Sequence, residues 1–333
     1  MKKITALLLA LMLLAGVLAG CGKPKDTGKA GKLKVVTTIF PAYDWVRAIL
    51  GDKADNAEVT MLLDNGVDLH SYQPTADDIV KISDCDLFVY VGGESDGWVE
   101  NALKNAANRN MKVINLLEVL GDSVKTEETV EGMQEDGHDH GHSHDEHDEG
   151  HDHGEEKDEH VWLSLKNAQA LCVTLADALC AIDPDNKNTY IANAAAYRDK
   201  LAALDADYKA AVEGATHKTV LFGDRFPFRY LVDDYGLRYY AAFAGCSAET
   251  EASFETVSFL AKKVDDLGLP CVLTIEGAQH RIAETIVQNT AGKNQKVLTM
   301  DSMQSTTSKD VANGTTYLSV MEKNLSALKE ALG

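Results

Sequence analysis

Eight histidines fall between His138 and Trp162, in HDHGHSHDEHDEGHDHGEEKDEHVW, set almost entirely among acids. Imidazole and carboxylate side chains together suit divalent transition metals. His138, His140, His142, His144, His147, His151 and His153 are spaced mostly by two, which cannot form one preorganised tetrahedral site unless the segment collapses on itself. That spacing predicts several interchangeable weak metal sites of millimolar to micromolar strength, roughly 4 to 8 kcal/mol. The plainer alternative is a purely solvating acidic loop. The eighth histidine, His160, differs from the rest. In DEHVWLSLKNAQAL it stands beside Trp162 where an amphipathic helix begins, a place where packing holds a side chain.

Further metal-capable residues follow predicted strands. His70 lies in the loop DNGVDLHSYQP after the run Val59 to Leu63, Asp224 two residues past Phe222, Glu276 directly after Ile275 and Asp301 directly after Met300. Open α/β sheets bind ligands in the crevice beyond the carboxyl ends of their strands, so these residues project toward one cleft. His280 joins them if the EGAQHR turn folds over that cleft, whereas His217 precedes its strand and reads as structural. For Asp224 and Glu276 the competing reading is helix capping through N-terminal amides.

The elements that must position these groups are legible as β-branched runs alternating with helical segments. The first set is Val35–Thr38, Val59–Leu63, Leu87–Val91 and Val113–Leu116; the second is Thr219–Phe222, Leu237–Ala242, Val272–Ile275 and Val297–Met300. This alternation predicts an α/β protein with two domains, each a four-stranded, mainly parallel sheet flanked by helices. Between them Tyr190, Ala194, Tyr197, Leu201, Leu204, Tyr208 and Ala211 keep helical spacing after Asp183-Pro184. A helix that long joins the domains as a stiff strut, and small domain movements on binding are expected. The expected divisions are a leader at 1–20, a tether at 21–32, a first domain at 33–182 that includes an acidic loop at 126–159, a linking helix at 183–214 and a second domain at 215–333.

Lys2 and Lys3 followed by the apolar run Ile4 to Ala19 have the anatomy of a secretory signal, too short for a membrane span. Leu18-Ala19-Gly20-Cys21 has the form of a bacterial lipobox, in which Cys21 is acylated and anchors the mature chain by lipid. No later stretch reads as a membrane span. The five remaining cysteines, Cys85, Cys172, Cys180, Cys246 and Cys271, are odd in number and contain no CxxC, which favours buried small residues over a disulfide framework or a thiolate zinc site. The formal charge is −20, but sixteen acids and two lysines between Asp122 and Glu159 supply −14 of it. Neither nucleic acid nor an anionic surface is a natural partner.

Several segments together carry a resemblance. GVDLHSYQPTADD and DEHVWLSLKNA resemble the two histidine motifs of the metal-binding solute-binding proteins of ABC transporters, the zinc and manganese uptake family. VVTTIFPAYDWVRAILGD and DLFVYVGGESDGWVENAL resemble its first-domain signatures. LGLPCVLTIEGAQHRIAETI and TYLSVMEKNLSALKEAL resemble its second-domain endings. The His-rich insert points to the zinc-uptake branch. The resemblance implies two α/β domains with the metal between them, His70 and His160 as the first two ligands and Asp301 as the fourth. The third falls nearest to Asp224, in FGDRFPFRYLVDDYG, where the family has a histidine or glutamate. The family's prolines before the two histidines are replaced by Leu69 and Glu159.

The expected function is then a monomeric, lipid-anchored extracytoplasmic receptor that captures zinc and delivers it to an ABC-type permease driven by a separate ATPase. Zinc is the expected ligand, with manganese possible for a site of two imidazoles and two carboxylates. The rival readings are a manganese receptor of the same family, a secreted zinc hydrolase using Glu276 as a base, and an adhesin or metal-buffering surface protein. HExxH is absent from the chain.

Overall fold

Every expected strand forms, and all of them pair in parallel. In the computed structural model, which describes residues 31–134, 156–247, 251–277 and 280–333, β1 (Leu33–Thr37), β2 (Ala57–Met61), β3 (Leu87–Tyr90) and β4 (Lys112–Asn115) make one sheet in the order β2-β1-β3-β4. The second sheet has the order β6-β5-β7-β8, from β5 (Thr219–Phe226), β6 (Arg238–Ala244), β7 (Cys271–Thr274) and β8 (Lys296–Thr299). Val35 faces Val59 across β1 and β2, and Val220 faces Tyr239 across β5 and β6. Strands covered by helices on both faces carry apolar side chains on both, which explains the near-continuous runs LKVVT, LFVY and CVLT. The same strand order in both sheets places the crevice of each beside its first strand, β1 or β5, where the crossovers part.

β5 runs four residues beyond its expected end, and its register with β6 shifts between Phe222 and Arg225. Gly223 permits this: a Cβ there would stand 2.5 Å from the Ala283 Cα. The irregular end carries Asp224 and Arg225 out over the crevice.

The five longest helices of the described residues brace the sheets. They are α1 (Phe40–Leu50), α2 (Leu165–Ile182), α3 (Lys187–Gly214), α4 (Phe254–Leu267) and α5 (Tyr317–Leu332). The Ser164 hydroxyl accepts the Asn167 N–H and so caps α2, fixing the chain just past His160. By length and composition α2 is apolar enough to cross a membrane, contrary to expectation, but Leu165, Leu171, Cys172, Leu175 and Leu179 are buried in the core.

α3 is the expected strut, 28 residues or about 42 Å. Its tyrosines are tied to both halves: the Tyr197 hydroxyl donates to Asp44 on α1, and the Tyr208 hydroxyl donates to the Met321 carbonyl on α5. α5 reaches back as well, since the Tyr317 hydroxyl donates to the Trp162 carbonyl at 2.6 Å and the Tyr317 ring meets Trp45 edge-on. One apolar cluster includes residues of both sheets, and Leu33–Gly333 is a single compact unit. Cys85, Cys172, Cys180 and Cys271 are buried free thiols, as expected.

The acidic segment begins later than its composition suggests. Thr126 and Lys157 form an antiparallel bridge, and the Glu127 N–H donates to the Glu156 carbonyl. Residues 126–134 then lie on the second half: the Gln134 N–H donates to the Ala242 carbonyl, Glu128 pairs with Arg229, Glu131 pairs with Lys263, and Met133 is buried. Local partners for these acids and one apolar anchor outweigh the lack of periodicity. The loop histidines His138 to His153 and Cys21 lie outside the described residues.

Candidate metal centre

Asp68 caps the short turn Leu69–Ser71 that follows β2, its side chain accepting the His70 N–H at 3.0 Å. This turns His70 inward. Its Nδ1 lies 2.8 Å from the Ser95 hydroxyl and 3.5 Å from a carboxylate oxygen of Glu159, leaving Nε2 to face His160. His160 sits at the head of the turn Val161–Leu163 and is fully buried. One oxygen of Asp158 accepts its backbone N–H at 2.8 Å and lies 3.0 Å from its Nδ1. Asp158 is itself fixed, its backbone N–H donating to Lys125 and its carbonyl accepting the Tyr230 hydroxyl at 2.7 Å.

The Asp158 carboxylate at the His160 Nδ1 directs the His160 Nε2 lone pair toward His70, whose own Nε2 faces the same point. The two Nε2 atoms are 3.2 Å apart, with the rings meeting edge-on. At that distance either a proton or a metal ion must lie between the two nitrogens. Two imidazoles on one tetrahedral zinc, with Zn–N of about 2.05 Å, have nitrogens separated by about 3.3 Å. The pair is therefore spaced as a chelate without rearrangement.

The electrostatics separate the two rings. Burial, the neighbouring His160 and Arg225 push the His70 pKa down to about 4, against Asp68 and Asp158, so this imidazole is neutral at physiological pH. Burial also pushes His160 down, but Asp158, Asp68 and Glu159 outweigh it and its pKa is raised. Of the two rings, His160 is thus the more basic.

A third metal-capable side chain completes the cluster. Donor atoms of His70, His160 and Cys246 lie within 4.8 Å of one another, the one such triple among the described residues. Cys246 follows β6, in the turn closed by the Ser247 N–H on the Ala244 carbonyl. Its backbone N–H donates to Glu127 at 2.9 Å. The turn can come this close because residue 245 is glycine: a Cβ there would lie 2.9 Å from the Phe226 carbonyl and 3.1 Å from the His160 ring.

Asp224, Glu276, His280 and Asp301 do not join the triple. The Asp224 carboxylate accepts the Thr274 hydroxyl at 2.6 Å and the Arg225 N–H at 2.9 Å, and His280 Nδ1 lies 3.1 Å from the same hydroxyl. Glu276 accepts the Ser302 N–H, the Ser302 hydroxyl and the Gln304 N–H. Asp301 accepts the Met303 N–H, and burial first, then Glu276, raises its pKa to about 6. These groups are engaged with their own half; Asp224, Glu276 and His280 line a cavity of about 750 Å³ together with Asp68, Arg225 and Arg281. His217 lies by the chain end, its N–H on the Leu332 carbonyl. Asp68 and Arg225 join the halves beside the triple, 2.9 Å apart.

Cys246, Asp158, Glu159 and Arg225 were not singled out as site residues from sequence. Cys246 carries a fainter version of the signal at the candidate carboxylates, a metal-capable residue four positions past the expected strand Leu237–Ala242 and two past β6 as it forms. Glu159, standing where the resemblance led one to expect proline, does more than loosen a loop: it puts a buried carboxylate beside His70, in space left open by the missing side chain of Gly93.

The family model described as "Zinc-uptake complex component A periplasmic" matches residues 35–331. The zinc-binding lipoprotein AdcA of Streptococcus pneumoniae is 35% identical over 331 residues, 99% of this chain and 61% of that protein. The chain thus spans about three fifths of the length of the AdcA relatives it matches. The high-affinity zinc uptake system protein ZnuA of Bacillus subtilis is 30% identical over 95% of this chain and 94% of its own length. Among solved structures, the Zn(II)-bound ZnuA-like domain of S. pneumoniae AdcA superposes with a TM-score of 0.69 at 32% identity, covering 91% of this chain and 99% of that domain. The metal-dependent lipoprotein YcdH of B. subtilis gives 0.71 at 27% identity, covering 90% and 99%.

Proposed function

The chain belongs to the family of periplasmic component A proteins of zinc-uptake complexes, and from that premise we propose that it is an extracytoplasmic receptor which takes up zinc between its halves and passes it to an ABC-type permease driven by a separate ATPase. The observation that carries this reading is the pair of Nε2 atoms 3.2 Å apart, each imidazole held at its other nitrogen. The zinc-binding names of its relatives support zinc as the cargo.

The residues divide the work. Buried His160, locked by Asp158, is the fixed donor, and His70, partly accessible on its short turn, closes on the ion second. The ion competes with protons for the Nε2 atoms, so capture weakens as the pH falls. Residues 33–182 and 215–333 act as two domains that α3 holds nearly rigid. Release to the permease then requires a local disturbance, at the His70 turn or the Asp68–Arg225 pair. Lipid on Cys21 tethers the monomeric receptor to the membrane, and His138 to His153 gather zinc weakly near the site.

Such a receptor performs no reaction. The base that a hydrolase would need, Glu276, has its carboxylate engaged by Ser302 and Gln304. Calorimetric titration of zinc into the full chain and into His160→Ala tests the proposal: one tight site present in the first and lost in the second is expected. A tight site that survives would overturn it. Deletion of 135–155, which spares the docked residues 126–134, should lower the zinc stoichiometry by the weak loop sites alone.

A further inference from the structure

Resting on the reading that His70 and His160 hold zinc, we propose that Cys246 is the third protein donor, so that the site is a mixed imidazole and thiolate centre selective for zinc and softer ions over manganese. Cys246 comes from the second half, so the inference also states what that half contributes directly to the ion.

The geometry asks little of the chain. A tetrahedral zinc with Zn–N of about 2.05 Å and Zn–S of about 2.3 Å sets nitrogen and sulfur about 3.6 Å apart. The donor atoms already lie within 4.8 Å of one another, so the sulfur draws in by at most ~1.2 Å. The turn that carries it is held from three sides. Glu127 accepts the Cys246 N–H at 2.9 Å, Arg225 donates to the Ser247 carbonyl, and Gly245 lets the backbone lie against the His160 ring. Binding converts the thiol to thiolate, with its proton passing to solvent. The new negative charge faces the cation directly, and Arg225 remains neutralised by Asp68.

Specificity follows from ligand softness. Thiolate favours zinc, whereas manganese favours carboxylate, carbonyl and water oxygens. The carboxylates that would make a harder site, Asp224 and Asp301, are engaged elsewhere: Asp224 with Thr274, and Asp301 with Met303 beside Glu276. The chain thus offers a soft donor where sequence alone suggested a hard one.

Cobalt(II) spectroscopy tests this on the full chain with Cys21→Ser, which removes the lipid-attachment thiol; the segment 135–155 contains no cysteine. One tightly bound equivalent of cobalt should give a thiolate-to-cobalt charge-transfer band in the near ultraviolet, absent in both Cys246→Ser and Cys246→Ala. Both variants should lose at least ~10-fold in zinc affinity, no less than the loss of an outer-sphere partner costs, and change manganese affinity by less than ~3-fold, since manganese gains little from a soft donor. A bound cobalt without the band, or zinc affinity unchanged in both variants, would overturn the inference and leave the receptor reading standing. Failure of cobalt and zinc to bind the parent chain tightly, or tight binding undiminished in His160→Ala, would count against the receptor reading and remove the inference with it.

Discussion

Beyond the carboxyl ends of β1 and β2, the first half presents two histidines whose outer nitrogens are engaged and whose inner nitrogens point at each other. At the carboxyl ends of β5, β7 and β8, the second half presents Asp224, Glu276 and Asp301, whose oxygens are taken up by nearby hydroxyls and amides. The two sheets share one strand order, so topology alone does not create the difference. A binding site needs donors that are positioned but left unsatisfied on one side. His70 and His160 meet that condition, and so does the Cys246 thiol, which enters from the second half at the end of β6.

The strongest way to break this comparison is to remove the fixed donor. His160→Ala should lower zinc affinity by more than ~100-fold, beyond the 10- to 100-fold that an outer-sphere loss costs, as measured by competition with a chelator. Asp158→Asn keeps the shape but weakens the hold on Nδ1, and a loss of about 10- to 100-fold is expected. Glu159→Gln, whose carboxylate lies farther from its imidazole, should cost less, and equal losses would deny that His160 is the better-held ring.

pH sharpens the same contrast. The raised pKa of His160 sets a proton in competition with the ion, so zinc affinity should fall as pH drops from 7 to 5. An affinity independent of pH over that window would contradict this competition. The smallest effect is predicted for the second half: Asp224→Asn should change zinc affinity by less than ~3-fold, because its carboxylate serves Thr274 and the local backbone. A larger loss would show that this carboxylate swings to the ion and that the halves share the work differently.

Much of this was legible in the residues. β-branched runs located all eight strands because sheets covered on both faces need them, and the tyrosine and leucine spacing located α3 because a strut between two halves must bury a stripe on each. The motifs around His70 and His160 marked two residues that do meet. Other features were hidden for physical reasons. GDRF does not read as strand, so the extension of β5 was missed; it depends on Gly223 meeting Ala283 and on the bulge before Arg225. Residues 126–134 look like solvated loop by composition, yet they dock through partners that are remote in sequence, Arg229, Tyr239 and Lys263. With no CxxC in the chain, Cys246 reads as a buried small residue, yet the fold sets this single thiol beside two imidazoles.

The account stands on one ion lying between two imidazoles. Diffraction from zinc-loaded crystals at the zinc absorption edge measures this directly. The main anomalous peak should lie about 2.0–2.1 Å from the Nε2 atoms of both His70 and His160. A main peak among Glu276, Asp301 and Asp224, or confined to the His-rich segment with the two imidazoles still paired to each other, would contradict it.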